Sequence, residues 1–146
     1  MPASPEAKAR TRAFARVIGP WLVIVPGIIA VRTPDMGAFV SGFFENGVLV
    51  WFAGAMLLFC GLLIIAFHQY WYSLSAILIS LFGWFLALRG LALLAAPQLI
   101  EHAAESSIGA VSLVRAGFGA LVLIGLWLTY AGWIAEPRTQ IAMDQP

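Results

Sequence analysis

From Gly47 to Phe67 the chain runs for 21 residues without a charged side chain. A helix rises 1.5 Å per residue, so a run of about 20 crosses the roughly 30 Å of hydrocarbon in a bilayer with its backbone polar groups paired internally. Three more apolar runs lie at about residues 14–31, 73–96 and 108–134. The pattern predicts an all-α polytopic membrane protein whose four transmembrane helices follow one another as two tandem hairpins. Composition agrees, since 62% of the 146 residues are hydrophobic and 10% charged, against about 25% charged in a soluble domain. A net charge of +1 argues against a nucleic-acid surface, and a lone Cys60 excludes an intrachain disulfide or a cysteine metal cluster.

The ends and connections set the orientation. Residues 1–13 read as a polar cytoplasmic tail and 135–146 as another. Lys8, Arg10, Arg12 and Arg16 form the densest basic cluster, and with Arg138 they outweigh Arg32, the one basic residue between spans. The positive-inside rule then holds both termini in the cytoplasm. Val17 to Val31 has the outline of a signal-peptide core, but Ala30 is followed by Val31 and Arg32 rather than a small-x-small cleavage site, so the run reads as an uncleaved first span. Pro26 withholds an N–H from the Leu22 carbonyl and predicts a kink, and Pro34 ends the span.

Between spans one and two, Met36, Phe39, Val40, Phe43 and Phe44 fall on one helical face, which predicts a short interfacial helix over 36–44. His68-Gln69-Tyr70-Trp71-Tyr72 makes an aromatic-belt turn into span three. Gln98 to Ser107 carries Glu101, His102 and Glu105 without Lys or Arg, as suits an outer loop.

A shift of 63 residues lays Trp21 on Trp84, Gly27 on Gly90, Pro34 on Pro97 and Gly54 on Gly117. Small residues also recur every seventh position. Gly27 belongs to one such ladder, Gly47, Gly54 and Gly61 to a second, Gly83 and Gly90 to a third, and Gly117 to the last. Seven residues are nearly two turns, so each ladder makes a stripe along which membrane helices can approach closely. The expectation is an internal repeat of parallel two-helix units packed through these glycines.

Arg89 and Arg115 are the charges set deep within spans, each about 10 Å below the outer end of its helix. Their plain reading is snorkelling or pairing with Asp35, Glu45, Glu101 or Glu105. Their sharper reading is a site for an anionic lipid headgroup or a small anion. His68 and His102 fall on opposite sides and cannot share a metal; His68 reads as a hydrogen-bonded belt residue. Glu101 and Glu105, four apart, read as polar capping of the loop. No nucleophile set, metal motif or phosphate loop is present in the sequence. The expectation is therefore a protein without catalytic residues, cofactor or metal.

Gly90-x6-Pro97 after Gly83-Trp84, echoed by Gly27-x6-Pro34, resembles the repeated hairpins of small bacterial inner-membrane proteins, including the short-repeat family linked to acid resistance, whose members have more spans. His68-x2-Trp71 leading into Gly83-Trp84 and Arg89-Gly90 is similar to uncharacterised four-span bacterial proteins. The resemblance covers about residues 14–134 and implies an inner-membrane location without catalytic residues. The resulting expectation is an accessory or scaffold protein whose partners are the lipid bilayer and a membrane protein or a second copy; the alternative is a transporter or channel subunit, or an anion binder through Arg89 and Arg115.

Overall fold

Ser4-Pro5-Glu6 is a helix start, with a hydroxyl to cap, a proline that has no N–H to lose and an acid in the first turn. In the computed structural model, which describes residues 4–33 and 36–135, Ser4 accepts from the Ala7 N–H at 3.2 Å, and helix α1 runs from Pro5 to Arg32. Residues 5–13, expected as tail, are thus helical. Helix α1 is continuous through Pro20 and Pro26. Helix α2 follows at Met36–Glu45, where the interfacial helix was expected. Helix α3 occupies Gly47–Phe67 behind an Asn46 cap, and α4 occupies Leu74–Ala95 behind a Ser73 cap. Helix α5, Pro97–Ile108, replaces the expected outer loop, again with proline in its first turn. Helix α6, Val111–Thr129, continues into one π turn at Tyr130–Ile134.

All regular structure among the described residues is helical, and α1, α3, α4 and α6 with its π turn are long and apolar enough to cross a membrane. The protein is therefore an all-α, polytopic membrane protein. Residues 34–35 and 136–146, including Pro34, Asp35 and Arg138, lie outside the described residues.

The helices approach most closely as two antiparallel pairs, α3 with α4 and α1 with α6, and the pairs meet along a thinner contact between α1 and α4. In chain order α2 links spans one and two and α5 links spans three and four, but the spans so linked do not pack closely as the expected two tandem hairpins. Close packing instead joins span two to three and span one to four. Helices α2 and α5 pack on each other at the end opposite residues 4 and 135. The core gathers Ala15, Ile18 and Leu22 of α1, Ile64 of α3, Ile79 and Leu86 of α4, and Leu128 of α6. Helix α4 is the most enclosed span, with 39% of its apolar window buried, and α6 the least, with 11%. The remaining apolar surface is what a bilayer solvates.

Glycine sets the spacing within each pair. A Cβ on Gly61 would strike the Ala87 backbone and come within 2.8 Å of the Gly83 carbonyl; on Gly90 it would strike Leu58 and lie 2.7 Å from the Gly54 carbonyl. On Gly83 it would meet Ile64 Cγ2 at 2.6 Å, and on Gly54 it would meet Leu94 at 3.0 Å. The α1–α6 pair uses Gly19, Gly125 and Gly132, where a Cβ would meet Thr129, Val23 and Arg16 backbone nitrogens at 2.6, 2.8 and 2.9 Å. The stripe does not extend to every expected position. Gly27 has ordinary contact with Val122 at 3.8 Å, while Gly47 and Gly117 have nothing within 4 Å. Gly54 and Gly117, which the 63-residue shift superposes, thus sit in opposite environments, because α6 and its π turn bring Gly125 and Gly132 against α1.

Overpacking a close contact costs roughly 1–3 kcal/mol or more. Gly61→Leu and Gly125→Leu are expected to lower the detergent melting temperature by many degrees, with Gly117→Leu within a degree or two of wild type. Equal losses at all three positions in a thermal-shift assay would contradict this packing.

A buried histidine junction as candidate functional site

His68 caps the end of α3. Its N–H donates to the Ile64 carbonyl at 2.8 Å, and its ring is 1% exposed. A buried imidazole needs partners at both nitrogens. Nε2 meets Thr11 Oγ1 of α1 at 3.0 Å, and Nδ1 meets Ser80 Oγ of α4 at 3.2 Å. One ring therefore ties α3 to α1 and α4. Phe14 and Tyr70 pack edge-on against it, with centroids at 5.4 and 5.3 Å.

The hydroxyls have their own anchors. Thr11 Oγ1 lies 2.9 Å from the Ala7 carbonyl, and Ser80 lies 3.1 and 3.3 Å from the Tyr70 and His68 carbonyls. Tyr72 completes the chain, 2.9 Å from Thr11 Oγ1 and 3.2 Å from the Ala7 carbonyl. Burial holds the His68 pKa below its ordinary value, partly offset by a backbone hydrogen bond. A cleft of about 250 Å³ opens beside the junction, lined by Ile65, Gln69, Trp71 and Trp84 with His68 and Ser80.

The α1–α6 pair is stitched where proline leaves a carbonyl without its helical donor. Pro20 frees the Arg16 carbonyl, and Trp133 Nε1–H donates to it at 3.3 Å. The Ala30 carbonyl, in the last turn of α1 where helical donors run out, takes Arg115 Nε–H at 3.3 Å and the Thr33 hydroxyl at 3.1 Å. At the other end Arg12 donates to the Ala135 carbonyl at 2.6 Å and Arg16 to Gly132 at 2.9 Å, with Arg16 stacked on Trp133. Arginines at the carboxyl end of a helix satisfy its last carbonyls and oppose its dipole.

Arg115 is thus engaged with α1, whereas Arg89 is exposed on α4 without a hydrogen-bond or ion-pair partner among the described residues. Their helices do not pack closely on each other, α1 and α4 being the joining pair. Neither arginine lines the cleft or the second crevice, about 200 Å³, where Phe44, Trp51, Gln98 and Glu101 meet. His102 bonds its own helix through the Gln98 carbonyl at 2.8 Å. Among the described residues no group of three His, Cys, Asp or Glu side chains is placed to hold a metal. Thr11 and Ser80 have no part in the expectations from sequence. Their signal is periodicity: Ala7, Thr11, Ala15, Ile18 and Leu22 recur at four, four, three and four residues and form one buried stripe of α1.

Comparison with protein-family models, with curated proteins and with solved structures finds no match for the chain. The site is therefore read from its own geometry.

A double-mutant cycle tests the proline stitch. Trp133→Phe is expected to destabilise the wild type by about 0.5–1.5 kcal/mol, the net worth of a hydrogen bond. In a Pro20→Ala background the Arg16 carbonyl regains a helical donor and the loss should shrink by at least half. Identical losses in both backgrounds, measured by reversible unfolding in mixed micelles, would remove the stitch from the account.

Proposed function

We propose that the chain is a non-catalytic accessory or scaffold protein of a bacterial-type inner membrane, with both termini cytoplasmic. One observation carries this reading. Every buried side-chain nitrogen and oxygen among the described residues has a hydrogen-bond partner within the protein, and these bonds join helices to each other or to their own turns. A catalytic site instead keeps a nucleophile or an acid-base group aimed at a reacting atom. The orientation is supported by Lys8, Arg10, Arg12 and Arg16, which share one end of the molecule with Ala135.

The partners fitting this role are the lipid bilayer together with a membrane protein or a second copy of the chain. The large apolar surface of α6 suits either lipid or a neighbour. A second reading rests on Arg89. A guanidinium in a span needs compensation, and with none among the described residues a lipid phosphate is the group that answers it.

The test pairs two measurements on one preparation. In gently solubilised membranes the tagged chain is expected to migrate on blue-native gels in an assembly larger than the purified protein forms. Purified protein in liposomes is expected to pass no ions above empty vesicles. Identical migration in both samples together with ion flux abolished by Arg89→Gln would overturn the accessory reading in favour of a transporter or channel.

A further inference from the structure

Two closely packed helix pairs meet along a thin seam, and His68 sits in that seam with bonds to both sides. The hydroxyl chain around it accommodates two proton counts without moving a heavy atom. With a neutral ring, Nδ1–H donates to Ser80, Thr11 donates to Nε2, and the Tyr72 hydroxyl donates to the Ala7 carbonyl. With a charged ring, Nε2–H donates to Thr11, the Thr11 proton turns to the Ala7 carbonyl at 2.9 Å, and the Tyr72 proton turns to Thr11 Oγ1 at 2.9 Å. Ser80 serves as acceptor in both, its own proton on the Tyr70 or His68 carbonyl. Tyr72 is 41% exposed, so the chain Tyr72–Thr11–His68 leads from the surface to the ring.

We propose that His68 is a reversible proton-binding site and that its occupancy controls how firmly the α1–α6 pair is held against the α3–α4 pair. The chain of hydroxyls allows the proton in, and the surroundings leave its charge uncompensated. On α1 the charged residues around Thr11 are Glu6, Lys8 and Arg10, all exposed, and Arg12, committed to the Ala135 carbonyl. On α3 the sequence holds no charged residue, and Cys60 is exposed. On α4 the one charge is Arg89, more than two turns beyond Ser80. The connection contributes Tyr70 and Tyr72, and α6 contributes Tyr130, exposed at its end. No carboxylate among the described residues pairs with the ring. An imidazolium here is a buried charge held by neutral dipoles, and opening the seam gives it water.

The sign follows from linkage. With the folded pKa below the ordinary value of 6.5, the unfolded or opened state binds the proton more tightly. The junction keeps its full stability above the ordinary value and loses it as pH falls through that value toward the lowered one.

The experiment uses the full chain in nanodiscs. The His68 ring nitrogens are followed by NMR from about pH 7.5 to about pH 4.5. Spin labels at Ala13→Cys and Leu81→Cys, in a Cys60→Ser background, report the seam, and labels at Leu62→Cys and Leu81→Cys report the α3–α4 pair. The ring is expected to titrate below its ordinary value, and the seam distance distribution to broaden or lengthen over the same range while the α3–α4 distance holds. Thr11→Val removes the partner of Nε2 and should move the titration about one further pH unit to acid. A ring that does not titrate in this range, or a seam distance unchanged across its titration, would overturn the proposal.

Discussion

Hydrocarbon offers no water to a polar group, and that single constraint organises this molecule. A backbone carbonyl that loses its helical donor must find another inside the protein, at a cost of several kcal/mol if it does not. Pro20 removes a donor from α1 and Trp133 returns one to the Arg16 carbonyl, while Arg115 of α6 donates to the Ala30 carbonyl in the last turn of α1. The arginine that looks anomalous in an apolar span thereby serves the carboxyl end of another helix. The same constraint acts on His68, whose two nitrogens and attendant hydroxyls form a closed set at the end of α3.

Packing supplies what hydrogen bonds do not. Lipid tails are as apolar as leucine, so the helices associate through close contact rather than water exclusion. Gly54, Gly61, Gly83 and Gly90 let α3 and α4 approach backbone to backbone, and Gly19, Gly125 and Gly132 do so for α1 and α6. The seam between α1 and α4 contains larger side chains, with Trp21 against Phe82 at 5.7 Å, and it is correspondingly thinner. The polar His68 junction stands at one end of that seam, and the α2–α5 contact lies at the opposite end of the molecule. A structure of two tight pairs and a polar fastening follows from where glycine and histidine fall.

Hydropathy makes the four spans legible in the sequence, and the spacing of Phe39, Val40, Phe43 and Phe44 marks α2. The amino-terminal turns of α1 are harder to read because Lys8, Arg10 and Arg12 look like a solvated tail, although Ser4-Pro5-Glu6 already signals a helix start. Helix α5 carries only a short apolar stripe, Ile100, Ala103 and Ala104, among polar residues that look like a loop, and Pro97 in its first turn marks its start. Pairing is the least legible feature. An apolar side chain facing lipid has the same chemistry as one facing a helix, so Gly117 and Gly61 look alike in a ladder and differ only once α6 is placed. Of the candidate arginine pair the sequence conveys the presence but not the partners, since an unpaired carbonyl at a helix end carries no mark of which side chain will reach it. His68 reads correctly as hydrogen-bonded, while its partners Thr11 and Ser80 lie 57 and 12 residues away.

The central claim is that span one packs on span four rather than on span two. Disulfide cross-linking in native membranes, with Cys60 replaced by serine, tests it directly. Cysteines at Gly27 and Val122, where a Cβ on Gly27 would lie 3.8 Å from Val122 Cγ2, should cross-link readily, and cysteines at Gly27 and Trp51 should not. Efficient linkage of Gly27→Cys to Trp51→Cys with none to Val122→Cys would contradict the paired architecture and return the molecule to two independently packed hairpins.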